Sequence, residues 1–158
     1  MKVALVIHSD TGHTANFARA IAAKFNENGH ETDITMLRTS GRVKVRATGG
    51  FQIRNAPELD EFDCLLFGGP VWGFTASPVI LEYLCDLKGL NGRKVMSFAT
   101  MGLPSKKLGG NQMLKAMDEQ LEASGGKVLP GEVLWYPFWV NKTKMAEAVE
   151  RIYRAFTA

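Results

Sequence analysis

At 158 residues the chain is sized for one domain, residues 1–158, with a core of its own. Apolar residues make up 46% and charged residues 22%, a globular composition, and no apolar run approaches the roughly 20 residues of a membrane span. Nineteen Lys and Arg against sixteen Asp and Glu leave a formal net charge of +3, mildly basic and by itself of little weight; no nucleic-acid or membrane partner is expected.

The apolar run Val3-Ala4-Leu5-Val6-Ile7 is too short for a signal peptide and reads as a first strand. His8-Ser9-Asp10-Thr11-Gly12-His13-Thr14 follows it. Phe17, Ala18, Ile21, Ala22 and Phe25 then recur on one helical face, which Asn28-Gly29 ends. Strand, short hydroxyl-rich loop and helix start together make a phosphate site, because loop amides and the positive end of the helix dipole converge there. Ser9, Thr11 and Thr14 each carry an O–H to donate, and Gly12 admits close backbone approach. No Lys or Arg lies between His8 and Ala18, so this is not a P-loop. The same pattern also fits an ordinary capped strand–helix turn.

Residues 31–37 give a second strand, only partly apolar, as at a sheet edge. Residues 38–60 hold Arg38, Arg42, Lys44, Arg46 and Arg54. They read as a solvated connection, with a short strand at Val43 and Val45 or a basic rim for an anionic partner as alternatives. Asp63–Phe67 is a central strand running into Gly68-Gly69-Pro70-Val71-Trp72-Gly73-Phe74. Ser77-Pro78 starts a helix, with Ser as cap and Pro at the first position.

A fourth strand spans Val95–Ala99, followed by a mobile-looking loop, residues 100–110, and a helix with Met113, Leu114, Met117 and Leu121 inward. The fifth strand, Lys127–Leu134, is broken by Pro130 and therefore belongs at an edge. Asn141 caps a last helix with Met145, Ala148, Val149, Ile152 and Phe156 inward. Cys64 and Cys85 lie in apolar segments without metal-ligand spacing, so buried free thiols and a cytoplasmic setting are expected. The three histidines are scattered, and no metal site is expected.

Strands alternating with helices require a parallel sheet covered on both faces. Ser9-x-Thr11-Gly12-x-Thr14 resembles the FMN-phosphate loop of the flavodoxin family, with His13 replacing the usual Asn and Ala15 the usual acid. Gly68-Gly69-Pro70-Val71-Trp72-Gly73 resembles that family's Gly-x-Pro-x-Tyr/Trp segment. The resemblance implies an α/β, flavodoxin-like, doubly wound five-stranded parallel sheet of order 2-1-3-4-5 with helices on both faces. FMN would lie where strands 1 and 3 diverge.

It further implies that Ser9, Asp10, Thr11, Gly12, His13 and Thr14 hold the phosphate. Gly69, Pro70, Val71, Trp72, Gly73 and Phe74 would border the isoalloxazine, with Trp72 stacked on it. A peptide at Gly73 would reorient when flavin N5 gains a proton. Thr100, Met101, Gly102 and Gly109 would meet the pyrimidine edge. No side chain is then catalytic, because the flavin supplies the chemistry.

The implied function is electron transfer by an FMN-binding flavoprotein. An NAD(P)H-dependent quinone or flavin oxidoreductase is the alternative, and a non-flavin binding module a third class. The basic charge and the lack of an aromatic in the loop after strand 4 favour an enzyme with an open flavin face. So does Trp135-Tyr136-Pro137-Phe138-Trp139, as a planar-substrate pocket. That cluster also fits a dimer contact or packing on the last helix. Expected partners are a redox protein, or NAD(P)H and a small planar acceptor, with the chain a monomer or homodimer. A phosphorylation receiver is argued against, since His8-Ser9 and Gly68-Gly69 stand where it needs acidic residues.

Overall fold

A computed structural model describes all residues, 1–158. The elements run β1 (Lys2–Ile7), α1 (His13–Glu27), β2 (Glu31–Met36), β3 (Cys64–Trp72), β4 (Thr75–Ala76) and α2 (Pro78–Asp86). Then come β5 (Lys94–Met101), α3 (Gly110–Ala123), β6 (Lys127–Trp135) and α4 (Lys142–Thr157). The sheet order is β2-β1-β3-β5-β6, all parallel along that path. With the two-residue β4 set aside, this is the expected order 2-1-3-4-5.

Strand alternation divides the core into two layers. Val3, Leu5, Ile7, Leu66, Met96 and Phe98 face α1 and α4 and meet Phe17, Phe25, Ile152 and Phe156. Ala4, Val6, Leu65, Phe67, Val95 and Ala99 face α2 and α3 and meet Ile80, Leu84, Met113 and Met117. Phe98 packs edge-on against Phe17, with centroids 5.4 Å apart, and so seats the first turns of α1 on the sheet.

The expected helix starts form as read. Ser77 Oγ accepts from Ile80 N at 3.4 Å, and Asn141 Oδ1 from Lys144 N at 3.0 Å. The structure differs at four points. β6 is one continuous edge strand, because its register slips opposite Met96–Phe98 and absorbs Pro130 in a bulge, where the missing N–H costs no ladder bond. Cys64 is buried, but Cys85 is exposed, since it stands beside Asp86 outside the buried stripe of α2.

β3 runs five residues past Phe67, through Trp72, and turns back antiparallel as β4. Gly73 and Phe74, both with positive φ (56° and 66°), make the two-residue connection that matches the twist of a hairpin. Residues 38–60 form a largely irregular connection, pinned by one antiparallel bridge between Thr39 and Ile53. Val43, Phe51 and Ile53 tuck against the α2/α3 core layer, so it is only partly solvated.

Candidate functional site

Right-handed crossovers send the connections after β1, β2, β3, β5 and β6 to the carboxyl edge of the sheet. A cleft of about 170 Å³ opens there, lined by Thr11, His13, Pro70, Val71, Trp72, Thr100, Met101, Gly102, Tyr136 and Pro137. A larger hollow of about 510 Å³, between residues 51–57 and α2, is lined by none of the residues expected at the site.

Gly12 caps α1 with φ 90° and offers no side chain to the helix amides. Ala15 N donates to Ser9 Oγ at 3.2 Å and Asn16 N to Gly12 O at 2.9 Å. The amides from Ser9 to Thr14 donate to no acceptor in the chain. Ser9 still has its own O–H to give, and the exposed Thr11 hydroxyl is unengaged. Thr14 is buried, with its Oγ1 2.8 Å from Thr100 Oγ1. That pair shares one hydrogen and has one left to offer. Asp10 is exposed at the tip of the loop.

His8, at the end of β1, lies between this loop and the hairpin. Its Nδ1 is 2.9 Å from Ser77 Oγ, and its ring stands edge-on to Trp72 at 5.1 Å. Burial pushes the imidazole below its ordinary value of 6.5, against an opposing pull from the Asp10 carboxylate. That edge-on contact covers part of a half-buried Trp72, whose remaining surface lines the cleft.

The other expected residues separate. Gly69 is buried inside β3, between Ile80 of α2 and Met113 of α3, where it serves packing. Gly73 and Phe74 form the hairpin turn beyond the cleft, and Gly109 caps α3 and backs onto Phe74. The Gly73 carbonyl accepts both Arg46 Nε, at 3.1 Å, and Arg46 Nη2, at 2.6 Å. Arg46 therefore anchors the peptide that the resemblance implies is mobile.

Two lining residues, Tyr136 and Pro137, were not among the expected cofactor contacts and were read only as part of a planar-substrate pocket, a dimer contact or packing on the last helix. Tyr136 stacks on His13 with centroids 4.0 Å apart, and its hydroxyl accepts Asn16 Nδ2 at 3.0 Å. The aromatic run 135–139 was the signal in the sequence, but its destination depends on the register of β6.

No family model matches the chain. An Archaeoglobus fulgidus protein named NAD(P)H dehydrogenase (quinone) is 29% identical over 80 residues, which is 44% of this chain and 42% of that protein. The chain thus spans less than half of that relative's length in the match. A Streptococcus pneumoniae TIGR4 flavodoxin superposes with a TM-score of 0.72 at 16% identity, over 99% of this chain and 98% of that one. A Lactobacillus acidophilus flavoprotein solved in complex with FMN gives a TM-score of 0.63 at 17% identity, over 84% and 92%. By strand order and by these superpositions, the chain has the flavodoxin-like α/β fold.

Proposed function

We propose that the chain is an FMN-binding redox protein that transfers electrons through the flavin. The observation carrying this reading is the run of unpartnered amides from Ser9 to Thr14 at the start of α1, beside a cleft walled by Trp72 and Thr100–Gly102. Amides and neutral hydroxyls at a helix N-terminus suit a terminal monophosphate. Ser9, Thr11 and the Thr14–Thr100 pair would supply hydroxyl donors. Trp72 would offer its free face to a planar ring, and Tyr136 would support the loop through His13 and Asn16. Bound FMN would supply hydride and single-electron chemistry. The side chains bind, orient and exclude water.

An NAD(P)H-dependent quinone or flavin oxidoreductase is the second reading, with which the partial similarity to the Archaeoglobus NAD(P)H dehydrogenase (quinone) is consistent. Titrating the purified chain with FMN while following flavin fluorescence tests the first claim. Saturable quenching is expected, and unchanged fluorescence overturns it. Anaerobic mixing of the loaded protein with NADH or NADPH then separates the readings. Bleaching of the flavin band near ~450 nm within seconds supports the enzyme. No bleaching, with normal reduction by dithionite, supports an electron carrier reduced by another protein.

A further inference from the structure

Charge is distributed very unevenly along the sheet axis. The carboxyl-edge connections and the first turn of α4 hold nine cations: Arg38, Arg42, Lys44, Arg46, Arg54, Lys106, Lys107, Lys142 and Lys144. Asp10 is the one carboxylate among residues 8–12, 37–57, 73–77, 102–109 and 136–141 and in the first turns of the four helices. Glu58, Asp60, Glu61 and Asp63 come later in the connection after β2, where it returns to the amino edge and Glu61 and Asp63 meet Lys2. The remaining ten Lys and Arg are outnumbered by fifteen Asp and Glu. None of the nine enters an ion pair, and only Arg46 donates its side chain to another group.

All four α-helices begin at this edge, so four positive dipole ends add to the field, and none has an acid in its first turn. Lys142 and Lys144 sit against the dipole of α4, an arrangement that helix stability alone disfavours.

Apolar exposure gathers at the same edge. Phe74, Leu103, Trp135, Phe138 and Trp139 are all exposed there, Phe138 at 91%. Leu103 and Trp135 line one groove with Lys106 and Lys144, which also contains Glu147.

From this we infer that the carboxyl edge is the docking face for an electron-transfer protein with an acidic rim, which seats over the cleft. The inference rests on the redox reading above. Two cation groups flank the cleft, one beyond β2 and one beyond β5 and β6. Five strands at about 4.8 Å spacing set them on the order of 20 Å apart, within the width of a standard protein interface. Exposed aromatics at the centre with charge around them are the anatomy of such an interface. A second copy of this chain would bring like charge to like charge.

The probe is an acidic [2Fe–2S] ferredoxin, with basic cytochrome c as its opposite, and binding is measured by calorimetry. Ferredoxin should bind at low salt and weaken about tenfold or more when salt is raised to about 300 mM. The combined variant Arg42→Glu, Lys44→Glu, Lys107→Glu should lose at least about tenfold in affinity. Lys127→Glu, at the opposite edge, should change it less than about twofold. Circular dichroism melts check that each variant folds.

Absent or salt-insensitive binding, equal binding of cytochrome c, or an equal loss in Lys127→Glu overturns the inference. Sedimentation with phosphatidylserine vesicles without ferredoxin binding also overturns it, in favour of a lipid surface. FMN uptake is read separately by fluorescence. Uptake without docking defeats the docking face alone, whereas salt-sensitive docking without uptake defeats the FMN reading and leaves the face standing.

Discussion

The two edges of the sheet are built on opposite plans. At the amino edge, polar groups are tied to the fold. Lys2 N donates to Asp63 at 2.7 Å, and Lys2 Nζ reaches Glu61 and Glu31. Arg93 gives its guanidinium to the carbonyls of Leu59, Phe62, Gly89 and Leu90, and Lys94 Nζ reaches the Phe156 carbonyl at 3.1 Å. At the carboxyl edge, the amides from Ser9 to Thr14 and every one of the nine cations but Arg46 are left without an intramolecular partner, and Phe74, Leu103, Phe138 and Trp139 are exposed. One edge holds the loops in place. The other keeps interaction capacity available for something outside the chain.

Substitutions test that contrast, because those at the amino edge should cost stability and those at the carboxyl edge should cost binding. Arg93→Met carries the largest expected effect, since four carbonyl contacts lose a charged donor at once. Stability should fall by about 2–4 kcal/mol and Tm by roughly 5–10 °C in a calorimetric melt. An unchanged Tm would mean that water replaces the guanidinium.

Thr14→Val mixes the two effects. It leaves the buried Thr100 hydroxyl without its partner, for about 1–2 kcal/mol by denaturant titration, and it also weakens FMN binding. Thr11→Val, on the exposed tip, should leave stability within about 0.5 kcal/mol and lower FMN affinity about tenfold. A stability loss equal to that of Thr14→Val would place Thr11 in the fold instead of the site.

The smallest effect is a pH dependence from His8. Its folded pKa lies below 6.5, so the unfolded chain binds the proton more readily. Stability should therefore decline as pH falls below about 6.5, down to the folded pKa, below which this contribution is constant. His8→Gln should flatten that part of the profile. Its persistence would assign the slope to another group.

Elements whose cause is local were legible in the residues. β1, α1 and the caps at Ser77 and Asn141 depend on neighbours within one or two turns, and they form as read. The placing of Thr11, His13, Trp72, Thr100, Met101 and Gly102 around one cleft was legible as well, because the parallel βα alternation sends those loops to one edge. The Gly73–Phe74 turn was not, since Phe carries no signal for positive φ, the turn is held by Arg46, and Phe74 backs onto Gly109, where a Cβ would collide.

The sequence by itself determined the strand and helix periods, the order of elements and the hydroxyl-rich loop at the start of α1. Only the tertiary structure decided that Thr14 meets Thr100, that Tyr136 stacks on His13, and that Arg46 grips the Gly73 carbonyl. It also decided that nine scattered cations share one face. The physical reason is separation along the chain. Periodicity and capping act over a few residues, whereas these contacts join positions up to 123 apart and exist only once sheet register brings the strand ends together.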